Sequence, residues 1–545
     1  MKFKFTPISF FVFAFLFAIP AYLINLGDQP AIDDEAIRAI VAFEMEASGD
    51  YITPTIAGDI YLKKPPLFNW LIVASYKIFG NHSELPVRAP MILSLFLFVL
   101  AIFYFLRKEI NTETAVISSL LFLTCGRVLI YESQYGLIDL SFSLLTFIFF
   151  MTLYRNFNRG NLLRLFIVAY FISAISFLLK GLPSVVFLGV TLLVLLVSQR
   201  KFKLLFNWRH FVGILVFIII VGGYYVAYFI QNNIPVEDLV NVLVGETTRR
   251  TAVRFGIWQT LLHLFTFPFE MIYHFLPWTL LTLVFFKRGI IKRIRKTPFL
   301  LYISLTFIFN IIVYWLSPEV YPRYILMLMP IIFGLTTYFY LEFKKENTLV
   351  TRIIEITFGV IICLSALAGF APFFVNISDT VPLIYWYAVG SIVVFGFLNY
   401  IYWTKRQYRI YTLITALLIF RLVFSTVIIP VRLSDSEEVI SKKQATELVK
   451  ITEDAELNLY WNPKYASTGY YGRVAITYRY LYNLVQAKNA PVKVTTERKA
   501  DAFYISPKYY VKVMEVDSLE QFTPPPIGDS PLLFYKFKKT ELLID

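Results

Sequence analysis

The stretch from 33 to 88 carries a set of side chains that composition alone does not explain. Asp34 and Glu35 open it, the run 63–66 reads Lys-Lys-Pro-Pro, and Arg88 closes it. A carboxylate can take a proton from a hydroxyl group, and lysine and arginine neutralise phosphate. Lys63, Lys64 and Arg88 are therefore candidate phosphate ligands. For Asp34 the alternative is a plain helix cap, because Asp at the start of an apolar helical pattern is a favoured N-cap.

Other candidates lie farther along the chain. Asp139 stands at the end of an apolar segment, where an acidic side chain is costly unless it is paired or functional. The turn 317–324 carries Arg323 and Tyr324, and a plain structural turn is an equal alternative there. His263 could bind a metal or carry a proton, although a lone interfacial histidine is more often simply hydrogen-bonded.

Long apolar segments must position these residues. The 545-residue chain is 57% hydrophobic with a mean hydropathy of +0.63, more apolar surface than a soluble domain can hide. A helix needs roughly 20 apolar residues to cross a bilayer. The sequence therefore predicts a polytopic α-helical membrane protein with about thirteen crossings, at 8–26, 86–106, 113–131, 136–154, 162–179, 183–198, 210–230, 269–286, 298–316, 323–341, 352–374, 382–403 and 409–430.

The short loops predict an orientation. Lysine and arginine concentrate in alternate loops, among them 107–108, 155–159, 200–203 and 287–296, and such loops are typically cytoplasmic. With a cytoplasmic N-terminus, the loops 27–85 and 231–268 and the tail 431–545 lie outside. We therefore predict an inner-membrane protein with a transmembrane domain at 1–430 and an extracytoplasmic domain at 431–545.

The tail after residue 430 has the composition of an ordinary soluble domain. Ser434 with Glu437 resembles a capping box, which predicts a helix to about Lys450. Alternating patterns then predict a small α/β unit, with strands at 457–461, 474–484, 492–496, 502–506 and 532–537.

Charge, cysteine usage and the absence of a nucleotide-binding motif exclude several classes of function. The net charge of +14 follows the loop bias described above, so it does not indicate nucleic acid. Cys125 and Cys363 both lie in apolar segments, which leaves no disulfide framework or thiolate metal site. The sequence has no glycine-rich nucleotide loop, so a nucleotide substrate is not expected.

Several motifs together resemble the first periplasmic loop and the following spans of bacterial transferases related to protein O-mannosyltransferases, including the aminoarabinose transferases that act on lipid A. The matching positions are Asp34-Glu35, Glu44-Met45, 48–50, Pro54, 61–67, Trp70, Phe79-Gly80, Glu84, Arg88, Gly136, Asp139, 275–278, Ser317, Arg323-Tyr324 and Pro330.

The resemblance implies a GT-C glycosyltransferase that takes a sugar from a polyprenyl-phosphate donor to a hydroxyl of a lipid, glycan or protein. It implies Asp34, beside Glu35, as the acceptor-activating acid and Asp139 as a second site carboxylate. Lys64 is then a donor-phosphate ligand. Lys63, Arg88 and Arg323 with Tyr324 are expected to help stabilise the departing phosphate.

The chain departs from the family at Lys63, where aminoarabinose transferases usually carry a glutamate that helps bind a metal. An ammonium group repels a cation, so a zinc or magnesium ion held by Asp139 and His263 conflicts with this position. We expect transfer without a metal. A transporter or flippase is the main alternative, but transporters place polar sites near the bilayer midplane, whereas these residues concentrate in outer loops.

Overall fold

The structure is a computed structural model of the chain. It describes residues 6–233, 235, 237, 256–374, 379–434, 436–452, 457–460, 474–495, 503–507, 519–521 and 532–537. The segment 236–243, for which an interfacial helix is predicted, lies largely outside the described residues.

The first half of the described chain is almost entirely helical. Its elements, in order, are α1 Pro7–Leu23, α2 Asp33–Ser48, β1 Thr55–Ile56, β2 Asp59–Ile60, α3 Leu67–Phe79, α4 Glu84–Glu109, α5 Thr112–Thr124, a π-helical turn Val128–Glu132, α6 Asp139–Asn158, α7 Leu162–Lys180, α8 Pro183–Ser198, a 3-10 turn Phe202–Phe206, α9 Trp208–Phe217, a π-helical turn Ile218–Gly222 and α10 Gly223–Asn232.

Helices continue to residue 452, and strands occur only after that point and at β1 and β2 in the described chain. The remaining elements are α11 Ile257–His274, 3-10 Trp278–Phe286, α12 Ile290–Lys296, α13 Pro298–Trp315, 3-10 Pro322–Leu328, α14 Met329–Lys345, α15 Leu349–Ala368, 3-10 Ala371–Phe373, α16 Ile384–Thr404, 3-10 Arg406–Tyr408, α17 Arg409–Val423, π Phe424–Ile428, α18 Ile429–Leu433, α19 Glu437–Thr452, β3 Leu457–Tyr460, α20 Val474–Lys488, β4 Lys493–Thr495, β5 Phe503–Pro507, β6 Leu519–Gln521 and β7 Leu532–Phe537.

Nine helical stretches of the described chain are long and apolar enough to cross a membrane, which confirms the predicted polytopic class. Three further predicted crossings are the shorter apolar helices α1, α5 and α8. The predicted continuous crossing at 269–286 is wrong. Helix α11 ends at His274 and a 3-10 segment follows from Trp278, because Pro277 lacks an amide hydrogen and disfavours helical geometry in the residue before it.

The chain divides into two compact units. Unit 1 comprises 1–26, 63–67 and 90–431, and unit 2 comprises 27–62, 68–89 and 432–545. The predicted boundary at residue 430 stays a prediction, since unit 2 draws residues from both sides of it.

Several buried polar side chains inside unit 1 bond to groups of other helices, as a nonaqueous interior favours. The Tyr22 hydroxyl donates to the Leu123 carbonyl oxygen over 2.5 Å, and Tyr302 donates to the carbonyl of Phe150 over 2.8 Å. The Trp278 indole donates to Thr124 Oγ1 over 3.0 Å. These bonds tie helices that are distant in sequence, so they set the frame on which the outer ends of the helices sit.

In unit 2, the Glu44 carboxylate organises the hairpin of β1 and β2. It accepts hydrogen bonds from Thr55 Oγ1 at 2.7 Å, from the amide of Ala57 at 2.6 Å and from the amide of Gly58 at 3.2 Å. Helix α2 ends at Gly49, whose φ of +72° is the left-handed conformation that favours glycine at the end of a helix. The first loop is therefore a folded element of fixed geometry.

The tail contributes α19, α20 and a five-stranded sheet of order β4-β3-β5-β7-β6, parallel at β3–β4 and β3–β5 and antiparallel elsewhere. The predicted strand at 474–484 is wrong, because this segment is helix α20. Its buried residues Leu481, Leu484 and Val485 follow the helical spacing of three and four, a period that outweighs the local alternation. The predicted cap Ser434 is also displaced, since Ser436 Oγ accepts from the amide of Val439 at 3.3 Å.

Helix α20 packs on the first loop within unit 2. Tyr482 Oη donates to the carbonyl of His82 at 2.8 Å, and Gln486 Nε2 donates to the same oxygen at 2.9 Å. Lys442 of α19 pairs with the buried Glu84 at the start of α4. The tail and the first loop are thus parts of one folded body.

Glu35 and Arg88 form a two-pronged ion pair that joins α2 to α4. Arg88 Nε donates to one carboxylate oxygen at 2.7 Å and Nη2 donates to the other at 2.9 Å. Both side chains are almost fully buried, at 1% and 0% exposed. This buried pair connects the two helices, while the predicted roles of Glu35 in catalysis and Arg88 in phosphate binding stay predictions.

The first prediction concerns this pair. Arg88→Ala leaves a buried carboxylate without its partner, so we expect a loss of roughly 3–5 kcal/mol of unfolding free energy, measured as a lower thermal midpoint of the purified protein. The double variant E35Q/R88M removes both charges and should lose less. Lys77→Ala, at an exposed cation of the same loop, is the control and should change stability little. If Arg88→Ala kept its stability but lost phosphate binding, Arg88 would be a phosphate ligand and not a structural residue.

Candidate active site

Asp139 is the first residue of α6 and lies opposite the last residue of α7. Lys180 Nζ donates to Asp139 Oδ1 at 2.5 Å, and the two side chains are only 11% and 9% exposed. Helices α6 and α7 run antiparallel and pack along their lengths, so the start of one meets the end of the other. A buried ion pair is thus placed at one end of the bundle of unit 1.

A second cation reaches the same carboxylate from the 3-10 turn Pro322–Leu328, which packs against α6. Arg323 Nε lies 3.5 Å from Asp139 Oδ2, and the arginine side chain is 13% exposed. The Tyr324 ring lies under both cations, with its centroid 4.2 Å from Lys180 Nζ and 5.7 Å from the guanidinium carbon of Arg323. Tyr324 therefore holds the two positive charges side by side.

The Lys-Lys-Pro-Pro segment belongs to the same unit. Lys63 is exposed and Lys64 is half-buried. The charge of Lys64 acts on Asp139. Gly181 follows Lys180 with a φ of +82°, and a side chain at this position would lie 3.9 Å from the Pro65 ring. The glycine conformation ends α7 directly at Lys180.

Arg127 and Glu132 form a further ion pair beside this cluster. Arg127 Nε donates to Glu132 Oε1 at 2.6 Å, and its guanidinium lies 4.0 Å from the centroid of Tyr131. Gly126 allows the backbone before Arg127 to approach Leu276 closely. Its amide donates to the Leu276 carbonyl oxygen at 2.7 Å, and a Cβ at this position would lie only 3.0 Å from that oxygen. The charges of Asp139 and Arg323 also act on the Glu132 carboxyl group. The Arg127–Glu132 pair and the Asp139 cluster therefore form one electrostatic group.

Four cations act on the two carboxylates of this group. Lys180, Arg323 and Lys64 act on Asp139, and Arg127 and Arg323 act on Glu132. Lysine and arginine are also the side chains that neutralise phosphate.

Asp34 lies in unit 2, in the first turn of α2, and its side chain is exposed. The helix cap alternative is wrong for this residue: the N-cap is Ile32, and no side-chain hydrogen bond caps the helix. Its role as a base stays a prediction.

The residues do not fit the proposed metal site. Both oxygens of Asp139 face cations, Lys180 and Arg323, which occupy the positions where an ion would bind. His263 is buried against Phe267, and its Nε2 lies 3.4 Å from the carbonyl oxygen of Tyr314. Across the described ranges, no group of three or more His, Cys, Asp or Glu side chains could hold an ion.

Three residues of this site escape the sequence analysis, namely Lys180, Arg127 and Glu132. Each lies at the end of an apolar segment, where an ionisable side chain indicates a paired or functional residue. The same argument that selects Asp139 would have selected them. The partner of each residue, however, depends on the packing of helices distant in sequence.

The fold defines a polytopic membrane protein with the GT-C architecture, and a group of buried ion pairs lies at one end of its helices. The structure is similar to that of ArnT from Cupriavidus metallidurans bound to undecaprenyl phosphate, with a TM-score of 0.67 and 16% identity over 96% of this chain and 97% of that one. The apo form of the same protein matches with a TM-score of 0.66.

Sequence comparison agrees with this fold. Residues 63–225 match the family model described as dolichyl-phosphate-mannose-protein mannosyltransferase. An undecaprenyl phosphate-alpha-4-amino-4-deoxy-L-arabinose arabinosyl transferase from Pseudomonas savastanoi is 30% identical over 33% of this chain and 34% of its own, and one from Proteus mirabilis is 26% identical over 35% of each. An uncharacterised protein of Aquifex aeolicus is 29% identical over 42% of this chain and 45% of its own. The chain thus spans less than half the length of these relatives, and the predicted resemblance is confirmed.

The second prediction concerns Glu132. Burial raises the pKa of this carboxyl group from its ordinary value of 4.5 to about 7, although Arg127 opposes the rise. The pKa of Glu132 is higher in the folded chain than in the unfolded chain, so this residue destabilises the folded protein least below pH 4.5. The destabilisation grows as the pH rises to about 7. By the standard conversion this cost is roughly 3 kcal/mol.

Glu132→Gln should therefore gain thermal stability relative to the native protein as pH rises from 4.5 to 7. The measurement is the thermal midpoint of both proteins across this range. Parallel pH profiles for the two proteins would contradict the raised pKa.

Proposed function

We propose that the chain is a membrane glycosyltransferase that moves a sugar from a polyprenyl-phosphate donor to a hydroxyl of a lipid, glycan or protein. The observation that carries the proposal is the group of three cations, Lys180, Arg323 and Lys64, that acts on the buried Asp139 at one end of the helices. The donor phosphate binds to these cations. None of the named transferases given above is described as a transporter, and nothing in the site favours a flippase.

An apolar cavity supports a lipid donor. It measures about 480 Å³ and is lined by residues of α11, α13, α14 and the turn that carries Arg323, including Met271, Trp315, Ile325 and Met329. Ile325 lies two residues after Arg323, so the same turn contributes one residue to the cavity and one to the cationic group. We propose that it receives the first isoprenyl units of the donor while the phosphate meets Lys180 and Arg323.

The proposed reaction breaks the bond between the sugar carbon and the phosphate oxygen and forms a bond from that carbon to the acceptor oxygen. The acceptor hydroxyl gives its proton to Asp34, and the departing polyprenyl phosphate gains a negative charge. Lys64, Lys180 and Arg323 stabilise that charge as it develops, which is where a preorganised cation lowers the barrier. Lys63 adds charge from its exposed position. No step needs a metal.

We propose the inner membrane as the location, with a cytoplasmic N-terminus. The basic loops support this orientation, which puts Asp34, Lys64 and the tail after residue 431 on the extracytoplasmic face.

The third prediction tests Asp34. Asp34→Asn keeps the shape of an exposed side chain outside the N-cap position, which Ile32 holds, but it cannot accept a proton. We expect transfer to fall by roughly a hundredfold or more, with thermal stability unchanged. The assay follows polyprenyl phosphate release from undecaprenyl-phosphate sugars, including the 4-amino-4-deoxy-L-arabinose donor. Asp28→Asn, at an exposed aspartate of the same loop, is the control and should retain activity. Full activity of Asp34→Asn would remove this residue from the mechanism.

The fourth prediction compares the adjacent lysines. Lys64 is half-buried and its charge reaches Asp139, whereas Lys63 is exposed, so solvent screens its charge more strongly. Lys64→Ala should therefore weaken binding of undecaprenyl phosphate more than Lys63→Ala does, by roughly tenfold. The dissociation constants of both variants in detergent measure this difference. A stronger effect at Lys63 would reverse the assignment, and equal affinity of both variants with the native protein would place the phosphate elsewhere.

A further inference from the structure

A second basic cavity lies at the opposite ends of the helices that carry the Asp139 site. The last turns of α4 and α6 and the first turns of α7 enclose a cavity of about 250 Å³. Asp139 and Lys180 stand at the other ends of α6 and α7, so the cavity is a separate feature. Its polar lining consists of Tyr104, Thr152, Arg155, Asn156, Arg159 and Arg164.

The charges around this cavity are unbalanced. Arg155 Nε lies 3.4 Å from a carboxylate oxygen of Glu109. Arg159 and Arg164 form no ion pair with any side chain in the described part of the chain. The cavity thus has three guanidinium groups beside one carboxylate, and its net positive charge favours binding of an anion.

One arginine is held in place before any ligand arrives. Arg155 is 19% exposed, its Nη1 donates to the Tyr104 hydroxyl at 3.2 Å, and its guanidinium lies 5.4 Å and 5.6 Å from the ring centroids of Tyr104 and Phe105. Beside it, Asn156 is 5% exposed and its amide makes no hydrogen bond to another described residue. Arg159 and Arg164 are exposed. The cavity therefore combines one fixed cation and a buried amide with two exposed arginines.

We propose that this cavity binds the phosphate of an anionic phospholipid headgroup. Leu97, Leu100 and Tyr104 lie on one face of α4 and are 46%, 40% and 49% exposed, so an apolar face runs along the helix to the mouth of the cavity. A headgroup bound to the arginines places its acyl chains along that face. Basic pockets between transmembrane helices bind anionic headgroups in this way.

The probes are short-chain lipids that differ only in headgroup charge. Native mass spectrometry of the full purified chain measures binding of dihexanoyl phosphatidylglycerol, dihexanoyl phosphatidylcholine and inorganic phosphate. We expect phosphatidylglycerol to bind at least roughly tenfold more tightly than phosphatidylcholine. The double variant R159Q/R164Q should lose this preference, and R159K/R164K should keep most of it.

The matched control is R288Q/K292Q, which removes two exposed charges from another basic loop and should bind as the native protein does. The proposal is overturned if phosphatidylcholine binds as well as phosphatidylglycerol, or if both glutamine variants lose affinity equally. It is also overturned if inorganic phosphate displaces phosphatidylglycerol at equal concentration, since the site would then serve a free anion. A thermal midpoint shared by all variants establishes that lost binding is local.

Discussion

The ion pair of Asp139 with Lys180 is the interaction on which the site depends. Neither charge could remain at a helix end in an apolar surrounding without the other, because an unpaired buried ion costs several kcal/mol. The pair therefore fixes where α6 begins relative to where α7 ends. Arg323 joins from a distant part of the chain. One electrostatic requirement thus brings together α6, α7 and the turn Pro322–Leu328.

Two buried pairs in this chain illustrate different uses of the same chemistry. Glu35 and Arg88 match one carboxylate to one guanidinium with two short hydrogen bonds and almost no exposure, so their charges cancel. Asp139 meets two cations from different parts of the chain. The Glu35–Arg88 pair joins α2 to α4, whereas the Asp139 group joins α6 to α7 and contains the cations to which the proposal assigns the donor phosphate.

Local patterns predicted the class of fold and several site residues, because apolar length and isolated charges are properties of a single segment. Asp139 and Arg323 were found in this way. Long-range partners were not: the pairing of Arg88 with Glu35 joins residues 53 positions apart, and only the folded chain shows that it buries both. The strand predicted at 474–484 failed for a related reason, since helix α20 is stabilised by packing on α2 and α19 that no local alternation reveals.

Lys63 stands at the position where the resemblance implies a metal-binding glutamate. Relative to that expectation it is a difference of two charge units next to Lys64. An ion at about 4 Å from an ammonium group would be repelled by roughly 4 kcal/mol per unit charge at an effective dielectric near 20. Lys180 and Arg323 already cover both oxygens of Asp139. The same positive charge that repels a metal attracts phosphate, so side-chain cations can take over the charge neutralisation that a metal would otherwise supply.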